Sequence, residues 1–163
     1  MRLCSIASGS SGNCIYVGSD NTHVLVDIGI SGKKMETGLN SLELTGRDLD
    51  GILITHEHSD HIKGLGVISR KYGIPIYATA GTVDAMVRTN ALGKIPEGIF
   101  HEIQEDEPFM INDLKVNPFT IPHDAAQPVG YRLEHEGHSV GIATDLGKYN
   151  DYIIENLQGL DAL

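Results

Sequence analysis

The chain has 163 residues, a length that suits one domain with its own core, and we treat residues 1–163 as a single domain. Hydrophobic residues make up 40% of the chain and charged residues 21%, which excludes a disordered acidic tail and an integral membrane protein. The formal net charge of −10 argues against a protein that holds nucleic acid by a broad basic surface, although it is compatible with bound cations.

The N-terminal residues and the two cysteines indicate the cellular compartment that the sequence favours. No apolar run approaches the roughly 18 residues that a membrane-spanning helix needs, and Ser and Gly interrupt the first residues before a signal-peptide core could form. We therefore expect a cytoplasmic protein with no membrane partner. Cys4 and Cys14 lack the CxxC spacing of a metal or redox motif, and we interpret them as reduced core thiols.

The first fifty residues alternate between apolar runs and turn residues. A Gly- and Ser-rich loop at residues 8–13 separates the first two predicted strands. Ser31 is the predicted N-cap of an amphipathic helix that runs to about Leu44. Strands are predicted at Leu3–Ala7, Cys14–Val17 and His23–Asp27.

The rest of the chain mixes strands and helices. The unbroken apolar run Gly51–Thr55 predicts a strand buried on both faces. Further strands are predicted at Ile74–Ala78, Ile99–Ile103, Leu114–Thr120, Val129–His135 and His138–Thr144, with a short one at Leu160–Leu163. Helices are predicted at Ile62–Tyr72, at Thr82–Asn90 with Thr82 as its cap, and at Asn150–Leu157. This order predicts an α/β sandwich whose helices cover the outer faces of packed sheets.

Metal-binding side chains concentrate in the segment 56–61, which reads HEHSDH and follows the strand at Gly51–Thr55. In extended backbone His56 and His58 point to the same side, so two imidazoles can meet one ion. As the chain turns into a helix, Asp60 and His61 can reach a second position, and two-metal hydrolytic sites are separated by roughly 3.5–4 Å. A polar loop that caps a helix is the alternative.

Two metal sites need more ligands than the segment 56–61 contains. His123 and Asp145 each follow a predicted strand; alone they suit a surface turn and a helix cap, but beside this segment we predict that both are ligands. Asp27 also ends a strand, and we predict that it orients a ligating histidine rather than serving only as a turn residue. The other histidines are interpreted as surface or strand-end residues: His23, His101, His135 and His138.

The loop at residues 8–13 is a candidate substrate-binding element through Ser10, Ser11 and Asn13. Its backbone N–H groups could form a nest for a phosphate beside the reacting one, whereas a Gly-rich turn without a ligand is the alternative. Five basic residues could line a path for nucleic acid or simply be solvated: Lys33, Lys34, Lys63, Arg70 and Lys71.

Asp27, the segment 56–61, His123 and Asp145, in this order at strand ends, resemble the motifs of the metallo-β-lactamase fold superfamily. Three stretches resemble more closely its bacterial YycJ/WalJ (VicX) branch: residues 7–13, 122–126 and 128–131. The resemblance implies an αββα sandwich with two metal positions. It implies His56, His58 and His123 at one position, Asp60 and His61 at the other, and Asp145 bridging them.

The resemblance also implies a DNA-processing hydrolase with exonuclease activity. Two zinc or manganese ions would hold a hydroxide at neutral pH, and Asp60 would bind the second ion and orient this nucleophile. His58 disfavours a di-iron oxidoreductase, which would have a carboxylate there, and Asp145 disfavours a β-lactamase, which commonly has Cys. Hydrolysis of a small ester, thioester or lactone is one alternative, and a metal-binding regulatory module without turnover is another.

The chain departs from the superfamily at its end. A further His, which lies beyond the strand beginning at Leu160, completes the second metal site in the family, and the sequence stops at Leu163 before it. We therefore expect a C-terminally incomplete sandwich that holds its first ion well and its second poorly and has little activity. An unpaired sheet edge near Leu160 would favour a homodimer or another association.

Overall fold

The computed structural model describes residues 1–163 and contains ten strands, five α-helices and one 3₁₀ helix at Gly46–Asp48. The strands are β1 (Arg2–Ala7), β2 (Cys14–Gly18), β3 (His23–Val26), β4 (Gly51–Leu53), β5 (Ile76–Thr79), β6 (Phe100–Ile103), β7 (Phe109–Ile111), β8 (Leu114–Thr120), β9 (Val129–His135) and β10 (His138–Ile142). The helices are α1 (Gly32–Ser41), α2 (Ser59–Ile62), α3 (Leu65–Tyr72), α4 (Ala80–Arg88) and α5 (Asp151–Leu157). None of these helices is both long and apolar enough to cross a membrane.

The strands form two sheets. The first has the order β1-β2-β3-β4-β5-β6, in which β1 to β3 are antiparallel and β3 to β6 are parallel. The second is an antiparallel sheet with the order β10-β9-β8-β7. Because β3 and β4 are parallel neighbours, the residues that follow them emerge at the same edge of the first sheet.

Alternate side chains of the first sheet point to its two faces, one packed against helices and the other against the second sheet. Leu25 and Ile52 belong to a cluster shared with helical residues, whereas Val26 and Leu53 point to the other face and pack with the second sheet. Helix α5 lies on the outer face of the second sheet, where the Asn156 carbonyl accepts a hydrogen bond of 3.0 Å from Arg132. Helices therefore cover both outer faces, and the predicted α/β sandwich of αββα type is confirmed.

Ser31 caps α1 as predicted, since its side chain accepts a hydrogen bond from the Lys34 N–H, but α1 ends at Ser41. The single helix predicted at Ile62–Tyr72 is instead the separate helices α2 and α3. The chain between them passes so close to the Ile30 carbonyl that Gly64 has no room for a side chain, and its N–H donates to the Ile28 carbonyl at 2.8 Å. Tertiary packing thus overrides the apolar periodicity.

Two further predictions were wrong. Thr82 does not cap α4, because the helix begins at Ala80; the buried Thr82 hydroxyl instead accepts a hydrogen bond from Thr79. Strand β7 was missed because it has only three residues, paired with β8 across a two-residue turn in which Asn112 has a φ of +50°. Three residues are too few for a period-two pattern to be recognised.

The last residues of the chain lie along the outer edge of β10. Ala162 forms an isolated parallel bridge with Val140, and its carbonyl accepts a 2.9 Å hydrogen bond from the Gly141 N–H. A second 2.9 Å bond joins the Asp161 N–H to the Ser139 carbonyl. The strand predicted at Leu160–Leu163 is therefore reduced to one bridge, which covers part of the β10 edge.

Candidate metal centre

The six candidate ligands meet at one end of the sandwich. The segment 56–61 leaves β4 and enters α2 at Ser59, while His123 and Asp145 lie on the loops that follow β8 and β10. The imidazole ring of His56 has its centroid 4.7 Å from the ring of His58 and 4.7 Å from that of His123. Residues from both sheets therefore face one another across a small space.

The first group consists of His56, His58 and His123. One ring nitrogen from each lies within 4.8 Å of the others, and His123 Nε2 is 3.3 Å from His58 Nδ1. Three converging imidazoles form a ligand set that suits zinc.

The second group consists of His56, His61 and Asp145, whose ligand atoms also lie within 4.8 Å of one another. Asp145 Oδ2 is 3.0 Å from His61 Nε2 and 3.6 Å from His56 Nε2. Asp60 Oδ2 lies 3.6 Å from the same nitrogen of His61. His56 thus belongs to both groups, whereas Asp145 belongs to the second group, and its bridging role stays a prediction.

His56 has an unusual environment for a polar side chain. It is fully buried, its Nδ1 is 2.9 Å from the Thr55 hydroxyl, and its Nε2 is buried with no hydrogen-bond partner. Burial, with a smaller contribution from the neighbouring imidazoles, lowers the pKa of His56 to about 3. A neutral imidazole with an unpaired buried nitrogen fits a metal ligand, since buried nitrogens otherwise have partners.

Asp27 lies beneath the second group. It is buried, has a φ of +62°, and accepts hydrogen bonds from the Thr55 N–H at 2.8 Å and the Thr55 hydroxyl at 2.7 Å. Its Oδ2 is 2.6 Å from His61 Nδ1. This contact holds the proton of His61 on Nδ1, so that Nε2 faces Asp60 and Asp145, as the predicted orienting role requires.

The same contact shifts the pKa of His61. Burial alone lowers that pKa, but the hydrogen bond that His61 donates to Asp27 and the charges of Asp27, Asp60 and Asp145 together raise it above its ordinary value. The charged form of the His61 imidazole is therefore stabilised relative to that of a free histidine.

Asn13 contacts the candidate ligands directly. Its Nδ2 is 3.4 Å from Asp60 Oδ2 and 3.3 Å from His61 Nε2. Gly9 fixes the amide orientation, because its N–H donates to Asn13 Oδ1 at 3.1 Å and its carbonyl accepts from Nδ2 at 2.9 Å. Asn13, proposed from sequence as a substrate contact, therefore also holds Asp60.

Three backbone N–H groups of the loop at residues 8–13 already have acceptors within the protein. The N–H groups of Gly9, Gly12 and Asn13 donate to Asn13 Oδ1, the Gly9 carbonyl and the Asp60 carbonyl. These three donors are therefore not available to an anion, and a nest formed by the N–H groups of Ser10 and Ser11 stays a prediction. Ser10 and Ser11 are exposed at the loop surface.

Sequence reasoning missed the positioning contacts of Glu57 and Thr55. Glu57 Oε1 accepts a 2.8 Å hydrogen bond from the Ala126 N–H, which ties the loop carrying His123 to the segment 56–61. The position of Glu57 between two candidate ligands was the available signal. Thr55 gave none, because a single Thr at a strand end is common.

The comparisons with known proteins agree with these motifs. The family model described as a beta-lactamase superfamily domain matches residues 22–163. Exodeoxyribonuclease YycJ of Bacillus anthracis is 41% identical over 162 residues, which are 99% of this chain and 61% of that protein. Exodeoxyribonuclease WalJ of Streptococcus pneumoniae serotype 2, strain D39, is 41% identical over 94% of this chain and 58% of its own length. The chain thus spans about 60% of these curated relatives.

The fold has similar neighbours among solved structures. A crystal structure of Zn²⁺-bound PqqB from Methylobacterium extorquens aligns with a TM-score of 0.76 at 18% identity, covering 93% of this chain and 58% of that one. At this identity the similarity shows the fold alone. With the family model matching most of the chain, the chain belongs to the beta-lactamase superfamily, of the metallo-β-lactamase fold that its ordered His and Asp motifs resemble.

Proposed function

We propose that this chain is a metal-dependent hydrolase that cleaves phosphodiester bonds of nucleic acid, as an exonuclease, with two zinc or manganese ions at the candidate metal centre. The observation that carries the proposal is the buried, unpartnered Nε2 of His56, which faces both groups of candidate ligands. The relatives named exodeoxyribonuclease support nucleic acid as the substrate class, since their identity extends over nearly the whole chain.

We take the ligand assignment from the family resemblance, and the distances between donor atoms support the grouping of His56 with His58 and His123 and of His61 with Asp145. Imidazole and carboxylate ligands suit zinc, and carboxylates also suit manganese. When bound, the two ions would activate a water molecule at neutral pH and neutralise charge on the phosphodiester oxygens. The first ion is assigned to His56, His58 and His123, the second to Asp60 and His61, and Asp145 is assigned to both.

The protein's own groups prepare this chemistry. Asp27 keeps the His61 proton on Nδ1 and leaves Nε2 directed at the centre. The Asn13 amide holds one oxygen of Asp60, and the carboxylate of Asp60 would accept a hydrogen bond from the attacking water and orient it. The Asp145 side chain is 37% exposed, so the centre is open to substrate on this side.

The test is hydrolysis of labelled single- and double-stranded oligonucleotides with added Zn²⁺ or Mn²⁺, beside nitrocefin and a panel of thioesters. The protein expressed from its full natural reading frame is assayed in parallel with the 163-residue chain, for which we expect little activity. The expected results below refer to the full reading frame. We expect metal-dependent release of nucleotides without appreciable nitrocefin turnover, because Asp replaces Cys at position 145. Asp145→Asn is the matched variant that removes the bridging charge and should abolish the release. Turnover of nitrocefin or thioesters with inert oligonucleotides would contradict the proposal.

A further inference from the structure

A groove separates the β1–β2 loop from the first turns of α1. Its volume of about 680 Å³ falls within the range typical of ligand sites. Ile6 and Ile30 supply apolar surface. The polar part of the lining consists of Ser8, Ser11, Ser31, Lys33, Lys34 and Thr37.

The groove adjoins the candidate metal centre through the β1–β2 loop. Ser11 and Gly12 line the groove, and the next residue, Asn13, donates to Asp60 Oδ2 at 3.4 Å. Because consecutive Cα atoms are about 3.8 Å apart, Ser11 lies within about 8 Å of Asn13. A strand with its reacting phosphate at the metal centre would therefore have neighbouring phosphates within reach of the groove.

The lysines of the groove differ from Arg70 and Lys71, which have partners within the protein, and from Lys63, which is exposed but does not line the groove. Lys71 forms a 2.8 Å ion pair with Glu36, and Arg70 donates to the carbonyls of Leu92 and Lys94. Lys33 and Lys34 are exposed and form no ion pair with a carboxylate. In a chain of net charge −10, two adjacent unpaired cations make this face locally positive.

Anion recognition in the groove would depend on side chains. The backbone donors of Gly9 and Gly12 are already used within the loop, and that of Asn13 by the Asp60 carbonyl. Lys33, Lys34, Ser8 and Ser11 are among the lining residues, and their ammonium and hydroxyl groups can donate to an anion. This chemistry suits a phosphate backbone, and the two isoleucines suit the sugar and base edges between phosphates.

We propose that this groove binds the sugar–phosphate backbone of a single nucleic-acid strand beside the phosphodiester at the metal centre, with Lys33 and Lys34 each contacting one phosphate. The inference rests on the proposed function and adds to it the path that the strand takes across the surface. It reduces the five predicted path residues to a lysine pair on one side of the centre.

The test is the salt dependence of binding of a labelled single-stranded oligonucleotide, measured by fluorescence anisotropy with a chelator present so that no cleavage occurs. The double variant Lys33→Ala and Lys34→Ala should reduce the slope of log K against log salt by about 1.4, since each phosphate contact on a single strand contributes about 0.7. The matched control is Lys94→Ala with Lys115→Ala, which removes the same charge from the loop after α4 and from β8, and should change the slope far less.

Measurements of folding and metal content distinguish a loss of phosphate contacts from a loss of structure in the variant. Alanine favours helices, so the groove variant should keep the circular dichroism spectrum and the metal content of the wild type. If wild type binds and cleaves oligonucleotides but the groove variant keeps the salt slope of the control, binding of the strand in the groove is rejected and the proposed function stands. If wild type neither binds nor cleaves them, both are overturned.

Discussion

The two sheets contribute to the metal centre in different ways. The first sheet supplies Asp27 and the segment 56–61 from neighbouring parallel strands, and its His56, His61 and Asp27 are at most 1% exposed. The second sheet supplies His123 and Asp145 on loops, and the Asp145 side chain is 37% exposed. The buried first-sheet residues are held inside the protein, whereas the second-sheet ligands reach the site on loops whose position depends on packing between the two sheets.

Because of this difference, we expect metal affinity to depend mainly on the first-sheet residues and substrate access on the second-sheet residues. On the first-sheet side, Thr55, Asp27 and His61 hold one another through hydrogen bonds of 2.6–2.8 Å, so the ligand nitrogens are oriented before an ion arrives. On the second-sheet side, the 2.8 Å bond between Glu57 and the Ala126 N–H is the contact that ties the His123 loop to the centre. We therefore expect the largest losses of metal affinity from the first-sheet residues.

The largest effect is expected from His56→Ala, because this side chain faces both groups. Metal affinity should fall at both positions by more than the roughly 10- to 100-fold that removal of an outer partner causes. Elemental analysis and metal titration calorimetry measure the loss, with the exposed His101→Ala as control. Wild-type metal content in His56→Ala, or in the triple Ala variant of His56, His58 and His123, would show that the site is misassigned.

Asp27→Asn should lower metal affinity at the second group about 10- to 100-fold and leave the affinity at the first group unchanged. The reason is that Asp27 contacts His61 and no residue of the first group. Asp145→Asn should weaken both positions, since its carboxylate lies near both His56 and His61. Two-step calorimetric titrations distinguish the patterns. Equal, small effects from the two variants would remove the bridging role of Asp145.

The pH dependence should also differ between the groups. Asp27, Asp60 and Asp145 raise the pKa of His61 above its ordinary value of 6.5, so a cation at the second group must displace a proton from Nε2. Affinity there should fall about tenfold for each pH unit below that raised pKa and level off above it. Titrations from pH 5.5 to 8.5 measure it; a second-group affinity independent of pH would contradict the assignment.

The smallest effect is expected from Glu57→Ala, which removes one hydrogen bond from the loop of His123. A net contribution of roughly 0.5–1.5 kcal/mol corresponds to a loss of about 2- to 10-fold in first-group affinity. Glu57→Gln keeps a carbonyl that can accept from the Ala126 N–H and should retain most of the affinity. If both variants lose the same metal affinity, the affinity depends on the carboxylate charge of Glu57 and not on its hydrogen bond to the loop of His123.

The sequence predicted the local part of the candidate site better than its long-range part. The segment 56–61 places four metal-binding side chains in six residues, and Asp27, His123 and Asp145 were found because each follows an apolar run. The contact of Asn13 with Asp60 joins residues 47 positions apart, and nothing in the loop's Gly and Ser content indicates that partner. Long-range contacts of this kind depend on how the loops pack.

The fold shows the same limit. The burial of β4 on both faces and the start of α1 followed from composition and capping. The break between α2 and α3 did not, because the apolar spacing continues through Gly64 and only the passing Ile30 backbone excludes a regular helix. Likewise, the three residues of β7 gain their strand conformation from pairing with β8.

Asp27 and Asp145 share a backbone feature with consequences for the evolution of the chain. Both have left-handed conformations, with φ of +62° and +57°. Most L-residues pay roughly 1–2 kcal/mol there, whereas Gly, Asn and Asp are accommodated cheaply. Substitutions that cost the backbone little are thus confined to three residue types, of which only Asp is anionic. A descendant that had lost its metal would still be expected to drift among Asp, Asn and Gly at these two positions.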